Sequence, residues 1–275
     1  MTDFSLPIHV DRYGDTGPAL VMLHGFAATN INWRRWRAEL AKHFQVHEIE
    51  LKGHGRASAP PDGRYSAKDN AALVVEYIRS VEAEDVVLVG HSMGGGVALL
   101  AALTLLEDDP GLLRAMVSMA GAAYPQPLPP FIAFARKKFI ARLLFRVLPK
   151  RLLIKIILRH IVVDSNVIDQ AQIDGYALPL MRRPTWEAIL ETASQLIPPD
   201  MIELCDRFPE IDVPVLALWG RHDRVVPLSV GERLAAELPD TRLVVLEDCG
   251  HIPTEEKPEE SLEAVLGFLQ EIGLS

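Results

Sequence analysis

Short apolar runs with no polar alternation recur along the chain, and helix-length stretches separate them, an order that few architectures can absorb. The runs are Ala19 to Leu23, Phe44 to Leu51, Asp85 to Val89, Leu113 to Met119, Val213 to Trp219 and Arg242 to Leu246. A strand covered on both faces has no solvent side and shows no period of two, which is how buried parallel strands read. The intervening stretches Asn32 to His43, Ser66 to Val81, Met93 to Leu106, Leu228 to Leu238 and Pro258 to Ile272 read as helices. Strand and helix therefore alternate, which implies an α/β class with a mostly parallel central sheet and helices on both faces.

One region breaks the pattern. From about Ala122 to Pro209 the chain reads as helical, with prolines at its edges and no return to a strand. It opens on Tyr124-Pro125-Gln126-Pro127-Leu128-Pro129-Pro130, where closely spaced prolines suit a stiff connector rather than helix or interior strand. The expected organisation is a core of residues 1–121 and 210–275 interrupted by a helical cap, 122–209. Such an insertion leaves and returns at the carboxyl edge of the sheet, where open α/β sheets place ligands, so a lid over a site is expected.

With 275 residues and 49% apolar content, the chain can bury a substantial core. A net charge of −9 excludes nucleic acid as a partner, since that would need an excess of Lys and Arg over much of the surface. Met1 to Pro7 lacks the basic start and apolar stretch of a secretion signal, and the longest apolar run, around Val97 to Leu106, falls short of the roughly 20 residues a spanning helix needs. A cytoplasmic protein is expected. Cys205 and Cys249 are too few and too far apart for a disulfide framework or metal cluster. His47-Glu48 begins like a zincin motif, but Leu51 stands where the second histidine would be, so no metal is expected.

The chemistry centres on Gly90-His91-Ser92-Met93-Gly94, set between the strand Asp85 to Val89 and a helix-forming stretch. A nucleophile on such a turn is exposed in strained backbone at a helix N-terminus, with glycines two residues either side because a side chain would collide there. The helix dipole favours the negative charge that develops beside the serine. The bland alternative is that the glycines only let helix and sheet pack closely.

These segments resemble the α/β-hydrolase superfamily over nearly the whole chain. Val21-Met22-Leu23-His24-Gly25-Phe26 is similar to the family's oxyanion loop, which implies that the Phe26 and Met93 amides bind an oxyanion and that Gly25 and His91 border the substrate. Leu51 to Ser58 is similar to its glycine-rich turn, although Glu50 and Lys52 stand where aspartate and proline are usual. Ala217 to Pro227 resembles the segment bearing the catalytic acid, at Asp223, and Cys249-Gly250-His251-Ile252-Pro253 the histidine loop, at His251. Ser92, Asp223 and His251 occur in the order this fold uses, each after an expected strand. Asp248 is too near His251 in sequence to orient it.

The resemblance implies a serine carboxylesterase or small-acylglycerol lipase that needs no cofactor. Related dehalogenases and epoxide hydrolases use aspartate as nucleophile, and proline iminopeptidases usually have tryptophan after the serine. Carbon–carbon hydrolases of ring-cleavage products share Ser-Met-Gly-Gly but commonly have asparagine and tryptophan where this chain has His91 and Ile252; they stand second. A non-catalytic binding protein on the same fold is the alternative of another class. Phe131, Phe134 and Leu144 either line the acyl pocket or pack the cap. No Asp or Glu occurs between Pro110 and Val163, while Lys138, Arg142 and Arg146, then Arg151, Lys155 and Arg159, recur at helical spacing among apolar residues. Two readings follow for these basic amphipathic helices: peripheral contact with an anionic lipid surface, or a cap whose charges simply face water.

Overall fold

The computed structural model describes residues 6–274; Met1 to Ser5, which carry most of the segment read for a leader, and Ser275 lie outside the described residues. The strands are β1 (His9–Tyr13), β2 (Ala19–Leu23), β3 (Gln45–Glu50), β4 (Val86–His91), β5 (Leu113–Met119), β6 (Val215–Gly220) and β7 (Thr241–Leu246). They form one sheet in the order β1-β3-β2-β4-β5-β6-β7, parallel throughout except for β1 against β3. The six expected strands are present to within about two residues at each end, the usual scatter of such boundaries. β1 escapes sequence reading because His9-Val10-Asp11-Arg12-Tyr13 is a partly buried edge, three of whose five side chains are polar or charged.

Between these strands lie α1 (Arg37–Leu40), α2 (Ala67–Ser80) and α3 (Met93–Asp108). Between β5 and β6 come α4 (Pro130–Ala135), α5 (Lys138–Val147), α6 (Lys150–Ile161), α7 (Gln170–Ala177), α8 (Arg183–Gln195) and α9 (Met201–Asp206), then α10 (Leu228–Glu237), α11 (Pro253–Glu256) and α12 (Pro258–Glu271). Pro130 opens α4, Pro149 immediately precedes α6 and Pro184 sits in the first turn of α8, positions where a missing N–H costs nothing. No helix among the described residues is long and apolar enough to cross a membrane.

The expected continuous helix from Asn32 to His43 is instead a 3-10 turn, Asn30–Trp33, followed by the four-residue α1. Thr29 Oγ1 accepts from the Ile31 amide at 3.3 Å and starts the tight turn. Trp33, Trp36 and Leu40 are fully buried at helical spacing, which is why the stretch reads as one helix. The side chains of Arg34 and Arg37 are held by Glu255 and Glu48.

Both faces of the sheet are covered, and the pleat explains the unalternating runs. Val21, Leu23, Val86, Leu88, Ala217 and Trp219 belong to one core layer with residues of α2, α3 and α10. Leu20, Met22, Val87, Val89, Leu216 and Leu218 belong to the other, with Trp33, Trp36 and residues of α12. Ile154, Leu158, Tyr176, Trp186 and Ile189 from the helices after β5 join the first layer. The register brings the carboxyl ends level: Leu23 lies opposite Ile49 and Gly90, and Met119 opposite His91 and Leu218. The sheet grows in one direction from β2 and in the other from β4, and ligand crevices form outside the strand ends at such a switch point.

Candidate active site

β4 ends at His91 and α3 starts at Met93, so Ser92 makes the entire change of direction. Its backbone sits at φ 55° and ψ −119°, a conformation that costs a side-chain-bearing residue on the order of 1–3 kcal/mol. Four hydrogen bonds hold it there: the Ser92 amide donates to Met119 O at 3.0 Å, and its carbonyl accepts from Gly95 and Ala122 at 2.9 Å and Gly96 at 3.3 Å. The flanking glycines are sterically required. A Cβ on Gly94 would lie 2.2 Å from Leu23 O and 2.6 Å from His24 O, and one on Gly90 would lie 2.4 Å from Gly94 O. Because those obstacles are backbone, Gly94→Ala is expected to destabilise the protein by about 3 kcal/mol and to push away the loop after β2. Urea unfolding checks the first effect, and a loss of turnover in the protein that still folds checks the second.

Three side chains from separate strand ends meet at this bend. Ser92 Oγ lies 3.0 Å from His251 Nε2, and His251 Nδ1 lies 2.8 Å from Asp223 Oδ2. All three residues are buried. The other carboxylate oxygen of Asp223 accepts from the amides of Val225 at 2.7 Å and Val226 at 3.0 Å, which fixes the carboxylate plane.

Gly25 packs against the bend: a Cβ there would lie 3.1 Å from Ser92 Cβ and 3.2 Å from His91 Nδ1. Phe26 lines the cavity at Ser92, and Phe26, Ser92 and Met93 border a smaller adjoining one. The main cavity, about 280 Å³, is lined by Gly25, Phe26, His91, Ser92 and His251 from the strand ends and by Phe131, Phe134 and Leu144 from the helices after β5. Every substrate-side residue expected from the sequence therefore borders it. Leu153, Ile157, Tyr176 and Ile189 also line it and were not anticipated, since an inward apolar position on a helix looks the same whether it faces a void or a neighbour.

The decisive comparison is at the family level: a model described as the Alpha/beta hydrolase family matches residues 20–264. The chain belongs to the alpha/beta hydrolase family. Curated proteins similar to this α/β hydrolase include the uncharacterized hydrolase YugF of Bacillus subtilis (strain 168), 29% identical over 96% of this chain and 94% of the relative. A pimeloyl-[acyl-carrier protein] methyl ester esterase of Aeromonas salmonicida (strain A449) is 28% identical over 96% of this chain and 100% of that one. A 2-hydroxy-6-oxo-6-phenylhexa-2,4-dienoate hydrolase of Burkholderia cepacia is 27% identical over 89% and 84%.

Sequence reasoning missed the residues that brace the site of this α/β hydrolase. The Glu256 carboxylate accepts from Gly250 N at 2.9 Å, Ile252 N at 3.1 Å and Val163 N at 2.7 Å, clamping the backbone on both sides of His251 and tying it to the end of α6. The His251 amide itself donates to Ile161 O at 2.9 Å. His24 Nδ1–H donates to Gly25 O at 2.8 Å and its Nε2 accepts from the Leu51 amide at 3.1 Å, fixing the loop that carries Phe26. His91 lies 2.8 Å from His251 O through Nε2. A carbonyl accepts, so the single proton of neutral His91 is on Nε2, and Nδ1 has no partner among the described residues. Nothing but the neighbourhood of a motif marks these residues in one sequence.

Burial pushes four histidines of this α/β hydrolase well below their ordinary range: His24 and His47 to about 4, and His54, whose Nδ1 lies 3.1 Å from Lys52 O, and His91 to about 3, the last two also repelled by a neighbouring histidine. An unfolded chain protonates them near pH 6.5, so below that pH it binds protons the folded chain refuses. Stability falls as pH drops from about 6.5 toward 4, by about 1.4 kcal/mol per pH unit for each histidine. Glu48 and Glu256, raised by burial, act in the opposite sense. His54→Asn retains a donor near Lys52 O, and its stability-versus-pH curve should be shallower than wild type by one histidine's share; an unchanged slope would refute this account. Cys205 and Cys249 are buried free thiols whose pKa values burial raises.

Proposed function

We propose that this α/β hydrolase cleaves neutral carboxylic esters bearing an apolar acyl group, through an acyl-enzyme on Ser92. The observation that carries the reading is the Ser92–His251–Asp223 chain opening into a cavity with no Asp, Glu, Lys or Arg among the described residues that line it. In this reading Ser92 Oγ attacks the acyl carbon while His251 Nε2 takes its proton, and the Phe26 and Met93 amides stabilise the oxyanion. Collapse breaks the acyl–oxygen bond, and the departing alkoxide takes the proton back from His251. Water, deprotonated by the same imidazole, then attacks the acyl-enzyme, releasing the acid and restoring Ser92. Residues 122–209 act as a cap that supplies the apolar wall.

The cavity is nearly twice the roughly 150 Å³ of an apolar void that takes up benzene, which suits a medium-length chain or a ring with a short tail. Along a series of p-nitrophenyl esters, kcat/KM is expected to rise roughly fourfold per added methylene, the worth of burying each one, until the cavity is full. No rise above the acetyl ester would sink the apolar-acyl reading. The Burkholderia cepacia relative makes carbon–carbon hydrolysis the competing reading. Its named substrate is a carboxylate, and the absence of a cation among the described residues lining this cavity favours the ester. Assaying a ring-cleavage dienoate beside the esters decides between them.

A further inference from the structure

We propose that α5 and α6 dock this hydrolase on anionic lipid bilayers, their outer faces resting in the headgroup layer while their inner faces wall the acyl cavity. Among the described residues, seven of the eleven exposed large hydrophobic side chains fall between positions 139 and 163. On α5, Phe139, Ile140, Leu143 and Val147 form one stripe, with Phe139 85% exposed; on α6, Leu152 and Ile156 repeat it. The opposite sides are equally apolar, and there Leu144, Phe145, Ile154 and Leu158 line the cavity. A helix covering a pocket needs only the inner stripe. An outer stripe of this size marks a surface that meets something apolar.

Charge identifies that partner. Residues 130–163 carry nine Lys and Arg and no Asp or Glu, in a chain whose net charge is −9. Three of these cations are neutralised within the fold: Lys138 pairs with Glu191 and Arg142 with Glu187, both on α8, and Arg151 with Asp174 on α7. Of the six cations expected at helical spacing, half are therefore committed to structure. Arg146, Lys155 and Arg159, with Arg136 and Lys137 beside them, pair with no carboxylate among the described residues and are exposed. Unpaired cations interleaved with exposed apolar side chains fit a bilayer interface, with apolar groups below the headgroups and long basic side chains reaching the phosphates. A second copy of the chain fits less well, because a two-fold contact on this face would set the same cations against one another.

The docking itself is independent of the reaction; that the docked enzyme draws a lipid ester into the cavity rests on the ester reading above. Co-sedimentation of the full chain with phosphatidylcholine vesicles, with and without phosphatidylglycerol, tests it. Binding is expected only to the anionic vesicles and should weaken with salt. The combined variant Arg146→Glu/Lys155→Glu/Arg159→Glu should bind on the order of 100-fold more weakly or worse, and Phe139→Asp at least tenfold more weakly. Both should hydrolyse a water-soluble ester at the wild-type rate without vesicles, which shows that they fold. Equal binding to neutral vesicles, undiminished binding by the variants, or a dimer that Phe139→Asp dissociates in place of vesicle binding would each overturn the proposal. Vesicle binding by a protein that cleaves no ester would leave the docking standing and remove the substrate reading alone.

Discussion

Ser92→Ala is expected to lower turnover by about six powers of ten while leaving the protein folded. The hydroxyl's one polar contact among the described residues is His251 Nε2 at 3.0 Å, so its removal leaves no backbone group unpaired. Alanine must adopt the same positive φ, a strain that serine already bears, so the melting temperature should move little. A fluorophosphonate probe should label wild type at Ser92, found by mass spectrometry, and leave the variant unlabelled. Unlabelled wild type would point to a non-catalytic protein. Retention of more than about 1% of the ester rate by the variant would place the nucleophile elsewhere, because the expected loss is far larger.

Asp223→Asn should cost about four powers of ten in kcat, and the structure specifies the route. One carboxylate oxygen is committed to the Val225 and Val226 amides and the other to the His251 ring. An asparagine keeps the two backbone bonds only by turning its carbonyl oxygen toward them, which presents its NH2 to His251 Nδ1. That nitrogen must then accept, the ring proton moves to Nε2, and Nε2 no longer has a lone pair for the Ser92 proton. The isosteric amide therefore produces the wrong tautomer without moving a heavy atom. Substrate KM should change far less than kcat; a rate within tenfold of wild type would mean that another group orients the imidazole.

The core was legible because its constraints are local. Two-sided burial writes itself as unbroken apolar runs, and a strand-to-helix bend as tight as the one at Ser92 needs glycine at both Gly90 and Gly94. What the sequence hid depends either on groups distant in the chain or on bonds to the backbone. β1 is held by pairing with β3 rather than by its own composition, and the Trp33, Trp36 and Leu40 spacing conceals a break that depends on Thr29 and on arginines drawn to distant carboxylates. Glu256 and His24 act on backbone amides and carbonyls, and backbone partners leave no trace in residue types. The basic spacing of α5 and α6 was visible, but the neutralisation of Lys138, Arg142 and Arg151 was not, since Glu191, Glu187 and Asp174 come from later helices.

The His251 imidazole is not mechanically separate from the outer surface of the protein. Its peptide N–H hangs from the last turn of α6 through Ile161 O, and the Glu256 carboxylate reaches both that turn's exit and the amides flanking the imidazole. A displacement of α6 by more than the few tenths of an ångström that separate a good hydrogen bond from a poor one must either drag His251 along or let go of it. Pressure on a solvent-facing helix is thus transmitted to the imidazole that meets the Ser92 hydroxyl.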